Sequence, residues 1–146
     1  MDVTVHDVAA HILQRYGGAM TSMKLEKLVY YSQAWSLVWD EEPLFPERIE
    51  AWVNGPVVPE LYARHKGMFK VSAWDGNPET LDSNQQETVD VVLDFYGKRS
   101  SMELSQMTHR EDPWLLARKG LGPSERGHRE ITHASMAEYY GSLVAQ

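Results

Sequence analysis

The sequence predicts a mainly α fold with a small β element (α+β): a compact single-domain helical bundle around a buried central helix, with a short strand before a Gly-Pro turn. Three observations predict it. From residue 25 to 39, ten of fifteen residues are Leu, Val, Ala, Tyr or Trp, so apolar groups fall on nearly every side of a helix instead of on one stripe. Several flanking stretches open on capping residues and close on glycine or basic residues, the punctuation of short helices. One stretch, residues 49–54, alternates apolar and polar side chains as a strand does. At 146 residues the chain fits one domain, 1–146, a size that buries about 68–70% of its unfolded surface in a single core.

Taken in order, Thr4 caps a first helix, with Asp7 completing a weaker form of capping box. Val5, Val8, Ala9, Ile12, Leu13 and Tyr16 then recur at helical spacing until Gly17-Gly18 closes the helix. The short turn to Thr21 makes this helix an antiparallel neighbour of the central one. The central helix spans about residues 21–39; Thr21 or Ser22 caps it, and Asp40-Glu41-Glu42-Pro43 ends it because proline cannot continue it. In residues 49–54, Ile49, Ala51 and Val53 alternate with Glu50, Trp52 and Asn54, giving a half-buried strand. Pro56 pushes Gly55 toward extended geometry, and Pro59 does the same to Val58 before opening a helix over 59–66. Arg64, His65 and Lys66 sit against the negative end of that helix, and Gly67 follows.

Residues 68–80 read as a loop with one short strand at 70–74 and the turn Asp75-Gly76-Asn77-Pro78. Asp82 or Ser83 caps a helix that turns Val89, Val92, Leu93 and Tyr96 inward and stops at Gly97. Ser100 to Glu103 opens another in capping-box form, with Leu104 and Met107 as its buried pair. Asp112 is the expected N-cap of the next, Pro113 its first residue, with Arg118 and Lys119 in its last turn and Gly120 after it. Residues 121–130 form an exposed polar loop, and Thr132 caps a final helix that docks Met136, Tyr139, Tyr140 and Leu143 on the core. The sum is six or seven helices and one small sheet.

Composition narrows the function. Fourteen Lys plus Arg stand against 21 Asp plus Glu, a formal −7 that repels a phosphate backbone unless the cations cluster on one face, so nucleic-acid binding is disfavoured. Zero cysteines exclude disulfides, thiolate catalysis and Cys-based zinc sites. The first residues lack a basic n-region and an apolar h-region, and the central helix carries Lys24, Glu26 and Lys27, so neither export nor a membrane span is expected and the cytoplasm is the default. Five Trp and seven Tyr exceed what so small a core requires, and such residues anchor protein interfaces as well as cores.

Chemistry is sparse. His6 and His11, and His128 and His133, are five apart, where ligands on one helical face need three or four; no metal or other cofactor is expected. No nucleophile elbow, phosphate loop or dinucleotide fingerprint occurs. His109 beside Glu111 or Asp112 has the makings of a general base and its orienter, but no nucleophile accompanies it, and neighbours on a turn more often form a capping network. Lys24 and Lys27 lie at the positive end of the central helix. Pointing into solvent they cost a few tenths of a kcal/mol; the functional alternative is an acidic partner or an internal carboxylate.

Three blocks together resemble a known family: residues 23–31, MKLEKLVYY; residues 50–62, EAWVNGPVVPELY; and residues 103–109, ELSQMTH, followed by Asp112-Pro113-Trp114. Their order and spacing are similar to the Panacea domain of SocA-like antitoxins and GepA-like phage-associated proteins, over essentially the whole chain. The second block is the specific one. Glu26 stands where that helix often has Gln, and Ala9-Ala10-His11 where an Asn is common.

The resemblance implies a non-enzymatic cytoplasmic antitoxin of a type II-like toxin–antitoxin system, neutralising a cognate protein toxin by direct binding. Its alternatives are a proteolytic adaptor that delivers the toxin to a protease, and a phage-associated protein with an enzymatic role. The residues expected to meet the partner are Trp52, Asn54 and Tyr62 around the turn, Lys24 and Lys27 as charged partners, and Trp114 with His109. Each also has a plain structural reading, as satellite core, turn former or brace of a helix start.

Overall fold

The helix that the apolar run demands is α2, Ser22–Trp39, in a computed structural model that describes residues 2–144. The Thr21 side chain accepts the Lys24 N–H at 3.1 Å and caps it; Asp40 ends it three residues ahead of Pro43. Leu25, Leu28, Val29, Tyr30, Tyr31 and Ala34 are all buried, as an all-round apolar helix requires. Around it lie α1, Val5–Tyr16; α3, Pro59–His65; α4, Ser83–Tyr96; α5, Ser101–Thr108; α6, Asp112–Ala117; and α7, His133–Val144. Helices α4 and α7 pack along α2, with α1 and α5 also against it. A 3₁₀ turn, Pro78–Thr80, packs on α1.

The β element is larger than the alternating stretch implied. Strands β1, Met20–Thr21, and β4, Lys70–Val71, pair antiparallel; β2, Ile49–Trp52, lies between β3, Gly55–Val57, and β5, Glu130–Ile131. Trp52 pairs with Gly55, so Val53-Asn54 is a two-residue hairpin connection and the Gly-Pro segment is itself a strand. Pro56 is tolerated because β3 is an edge. Expected strand 70–74 shrinks to two residues, and the polar loop 121–130 ends by adding β5, with Ile131 opposite Ile49. Ladders this short leave no periodic signature.

Local punctuation was mostly as read. Capping boxes form at Thr4–Asp7, Asp82–Gln85 and Ser100–Glu103, and Thr132 Oγ1 accepts the Ser135 N–H. Several expectations need correction. The N-cap of α6 is Glu111, so Asp112 is its first residue and Pro113 its second. Leu143 is exposed and Met107 only half-buried, because α7 and α5 each commit a narrower face than their apolar residues suggest. Lys24 and Lys27 do not point into solvent: 8% and 1% exposed, they reach backbone carbonyls inside the protein. His65 leaves the end of α3 to bond Glu26.

Candidate functional site

The N-terminal turns of α2 bury charge, and that charge holds the hairpin. Glu26, fully buried, accepts the Val58 N–H at 2.9 Å through Oε1 and meets His65 Nε2 at 2.7 Å through Oε2. One carboxylate thus ties the end of the hairpin to α3. Beside it, Lys27 Nζ donates to the Pro56 carbonyl at 3.1 Å. Burial pulls the Lys27 ammonium down to about 8, with the Glu26 carboxylate opposing that shift. Gly55 lies against this lysine with a φ of +123°; a Cβ there would stand 2.6 Å from Lys27 Cε and 3.0 Å from Thr108 Oγ1. Glycine is required on both counts, conformation and space.

From the other side, α6 grips the same hairpin. Trp114 Nε1 donates to the Trp52 carbonyl at 2.8 Å, and buried Arg118 donates to the Ala51 carbonyl at 3.0 Å. His109 stacks on Trp114 with ring centroids 4.1 Å apart. Ser105 Oγ donates to the Asn54 carbonyl at the hairpin tip. The tip is therefore anchored by α2, α5 and α6 while its outer face stays open.

Six of the seven expected site residues gather here. Trp52, half-buried, stands edge-on to Tyr62 at 4.9 Å and to His128 at 5.7 Å, and Asn54 is exposed at the tip. Lys27 underlies the hairpin; Trp114 and His109 brace it. Lys24 turns away, bonding the Gly97 carbonyl at 2.6 Å and Tyr16 Oη at 3.3 Å, and closes the end of α4. A lysine at the start of one helix thereby caps the end of another.

The open face has two cavities meeting along Met23, Asn54 and Tyr62. The first, about 710 Å³, also takes in Lys27, Phe69, Met102, Ser105 and Gln106. The second, about 520 Å³, takes in Trp52, Lys66, Arg126 and His128. Phe69 is 75% exposed and Met102 71%, the two most exposed large apolar side chains among the described residues. Sequence reasoning passed over these rim residues, which lie in no motif; only methionines at exposed helical positions, adaptable groups suited to contact surfaces, could have marked them.

Burial, with Lys27 and Arg118 nearby, lowers the His109 pKa, and its Nε2 has no hydrogen-bond partner among the described residues. Of the two carboxylates expected to orient it, Glu111 is engaged elsewhere: its Oε1 accepts from Tyr31 at 2.7 Å and Tyr140 at 2.8 Å. His109 and Glu111 therefore form no acid–base pair. Among the described residues no three His, Asp or Glu side chains cluster as a metal site would need, and no helix is long and apolar enough to cross a membrane.

The family model described as antitoxin SocA-like, Panacea domain, matches residues 25–115, from α2 through the hairpin to α6. Among curated proteins, the asparagine–tRNA ligase of Wigglesworthia glossinidia brevipalpis is 30% identical over 92 residues, 61% of this chain and 19% of the ligase. The chain thus spans about a fifth of that relative's length. No solved structure matches.

Proposed function

This chain belongs to the family of SocA-like antitoxins with a Panacea domain, and from that membership we propose that it neutralises a cognate protein toxin by binding it directly, without chemistry of its own. The observation that carries the reading is where the family match falls: it encloses the hairpin, its supports on α2, α3 and α5 together with Trp114, and most of the two-cavity face. An antitoxin-like role follows from the family; a type II arrangement and a toxin seated on this face are the finer proposal. Exposed Phe69 and Met102 beside a rigidly held tip suit a protein contact, since apolar anchors next to a fixed frame lose little entropy on binding. The stretch shared with the asparagine–tRNA ligase is too small a part of that enzyme to bring its activity here.

Co-expression with the protein encoded beside this one, in cells with and without their energy-dependent proteases, tests the reading. Rescue of growth and a stable complex in both strains is the expected outcome. Rescue confined to the protease-containing strain would identify an adaptor, and no rescue in either would overturn the proposal.

A further inference from the structure

The two-cavity face carries a charge opposite to that of the molecule. The chain has 21 acidic residues and a net charge of −7, yet no Asp or Glu lines either cavity. Two other concavities of the surface, by contrast, are lined by Asp2, Glu42 and Asp82, and by Glu79. What it holds instead is cationic. Lys66 and Arg126 rim the second cavity, and neither has an ion-pair partner among the described residues; His128 is shared with Glu50 at 3.5 Å. Lys27 borders the first cavity from beneath, buried and donating to the Pro56 carbonyl, so it supports the face without reaching its surface.

Apolar anchors adjoin these cations. Met23 lies on the ridge common to both cavities, and Phe69 and Met102 flank the first. We propose that this face binds an acidic segment of a partner protein, whose carboxylates meet Lys66 and Arg126 while its apolar side chains seat between Met23, Phe69 and Met102. The partner's being a toxin rests on the antitoxin reading; the sign of its charge does not. Complementarity of this kind sets on-rate and partner choice more than affinity, so binding should weaken with salt. Net acidity elsewhere then repels wrongly oriented approaches of the same segment.

The test is an NMR titration of the ¹⁵N-labelled full chain with short peptides that share a Leu/Phe frame and differ only in carrying Asp, Ser or Lys between the apolar positions. Expected are shifts of the Asn54, Gly67, Phe69 and Gln106 amides with the Asp peptide, at least about tenfold weaker in the Lys66→Glu/Arg126→Glu double variant. Equal binding of the Lys peptide, shifts centred on another face, or no shifts would overturn the inference. Shifts of these amides on raising protein concentration alone would make a second copy the occupant and overturn it too. In the co-expression assay, the same double variant should lose rescue while Arg15→Glu/Lys98→Glu, which avoids both cavities, retains it. Rescue by Lys66→Glu/Arg126→Glu would sink the charge inference and leave the antitoxin reading standing; absence of rescue by the wild type would sink that reading, with the peptide titration still deciding the face.

Discussion

The first turns of α2 and its middle turns are both buried, but by different balances of charge and packing, and the helix emerges only at Trp39, 43% exposed. Its first turns bury Ser22, Lys24, Glu26 and Lys27 against the hairpin, α3, α5 and the end of α4, each polar group carrying a specific partner. Its middle turns bury Tyr30, Tyr31 and Ala34 mainly by packing against α4 and α7, where Tyr31 stacks on Tyr96 at 4.0 Å and Trp35 Nε1 bonds Tyr96 Oη at 2.9 Å; the buried polar groups there, Gln33 and Ser36, are uncharged and hydrogen-bonded to the segment after the helix. Apolar burial stabilises by area and tolerates imperfect fit. A buried ion stabilises only when its bonds are complete, and so it fixes one geometry. The polar end is also the end beneath the two-cavity face, which ties the rigidity of the hairpin tip to the costlier kind of burial.

Removing Glu26 should break that contrast most sharply. Glu26→Ala leaves the Val58 N–H and His65 without their buried partner and should cost roughly 3–5 kcal/mol by urea denaturation. Glu26→Gln keeps an oxygen for Val58 and an amide for His65, and should cost much less. Equal losses for the two variants would mean that packing, not hydrogen bonding, governs this end.

Next in size is a pH dependence assigned to Lys27. Its folded pKa is lowered to about 8 from an ordinary 10.5, so between those values the unfolded chain binds more protons and stability rises with pH. The gain from pH 7.5 to 9.5 should be roughly 2 kcal/mol, and Lys27→Met should flatten it. Above pH 10 the aromatic end acts in the opposite sense. Burial raises the Tyr30, Tyr31, Tyr96 and Tyr140 pKa values, so those phenols ionise first in the unfolded chain and stability falls. A profile without a maximum between these windows would contradict the assignment.

Smaller again is Tyr140→Phe. It removes the bond to Glu111 and the 3.0 Å contact with Tyr30 while keeping the ring, and should cost about 1 kcal/mol. A loss as large as that of Glu26→Ala would show the aromatic end to be as dependent on polar contacts as the other.

The same contrast explains what the sequence revealed. Caps such as Thr4, Asp82, Ser100 and Thr132 are local, set by a side chain and a backbone three residues away, and were legible. Burial of the apolar turns of α2 was legible because composition alone decides it. The direction of Lys27 was not, since its acceptor lies 29 residues further on and exists only once the hairpin has formed. His65 was read as a dipole partner for the same reason: its real partner, Glu26, is 39 residues away. Of the candidate site, Trp52, Asn54 and Tyr62 were singled out because a specific motif surrounds them, whereas Phe69, Met102, Lys66 and Arg126 line the same face through tertiary placement alone.

That last group supplies the mildest prediction for stability. Phe69 and Met102 are exposed and carry none of the core, so Phe69→Ser and Met102→Ser should each leave folding within about 0.5 kcal/mol of wild type. If the cavities exist for a partner, the pair together should nonetheless abolish growth rescue and complex formation, because apolar anchors beside a rigid frame dominate such contacts. Stability and function would then separate along α2: its charged end fixes the tip, its aromatic end holds the bundle, and two side chains belonging to neither make the contact. A double variant that still rescues growth, with its denaturation curve unchanged, would move the toxin contact off this face.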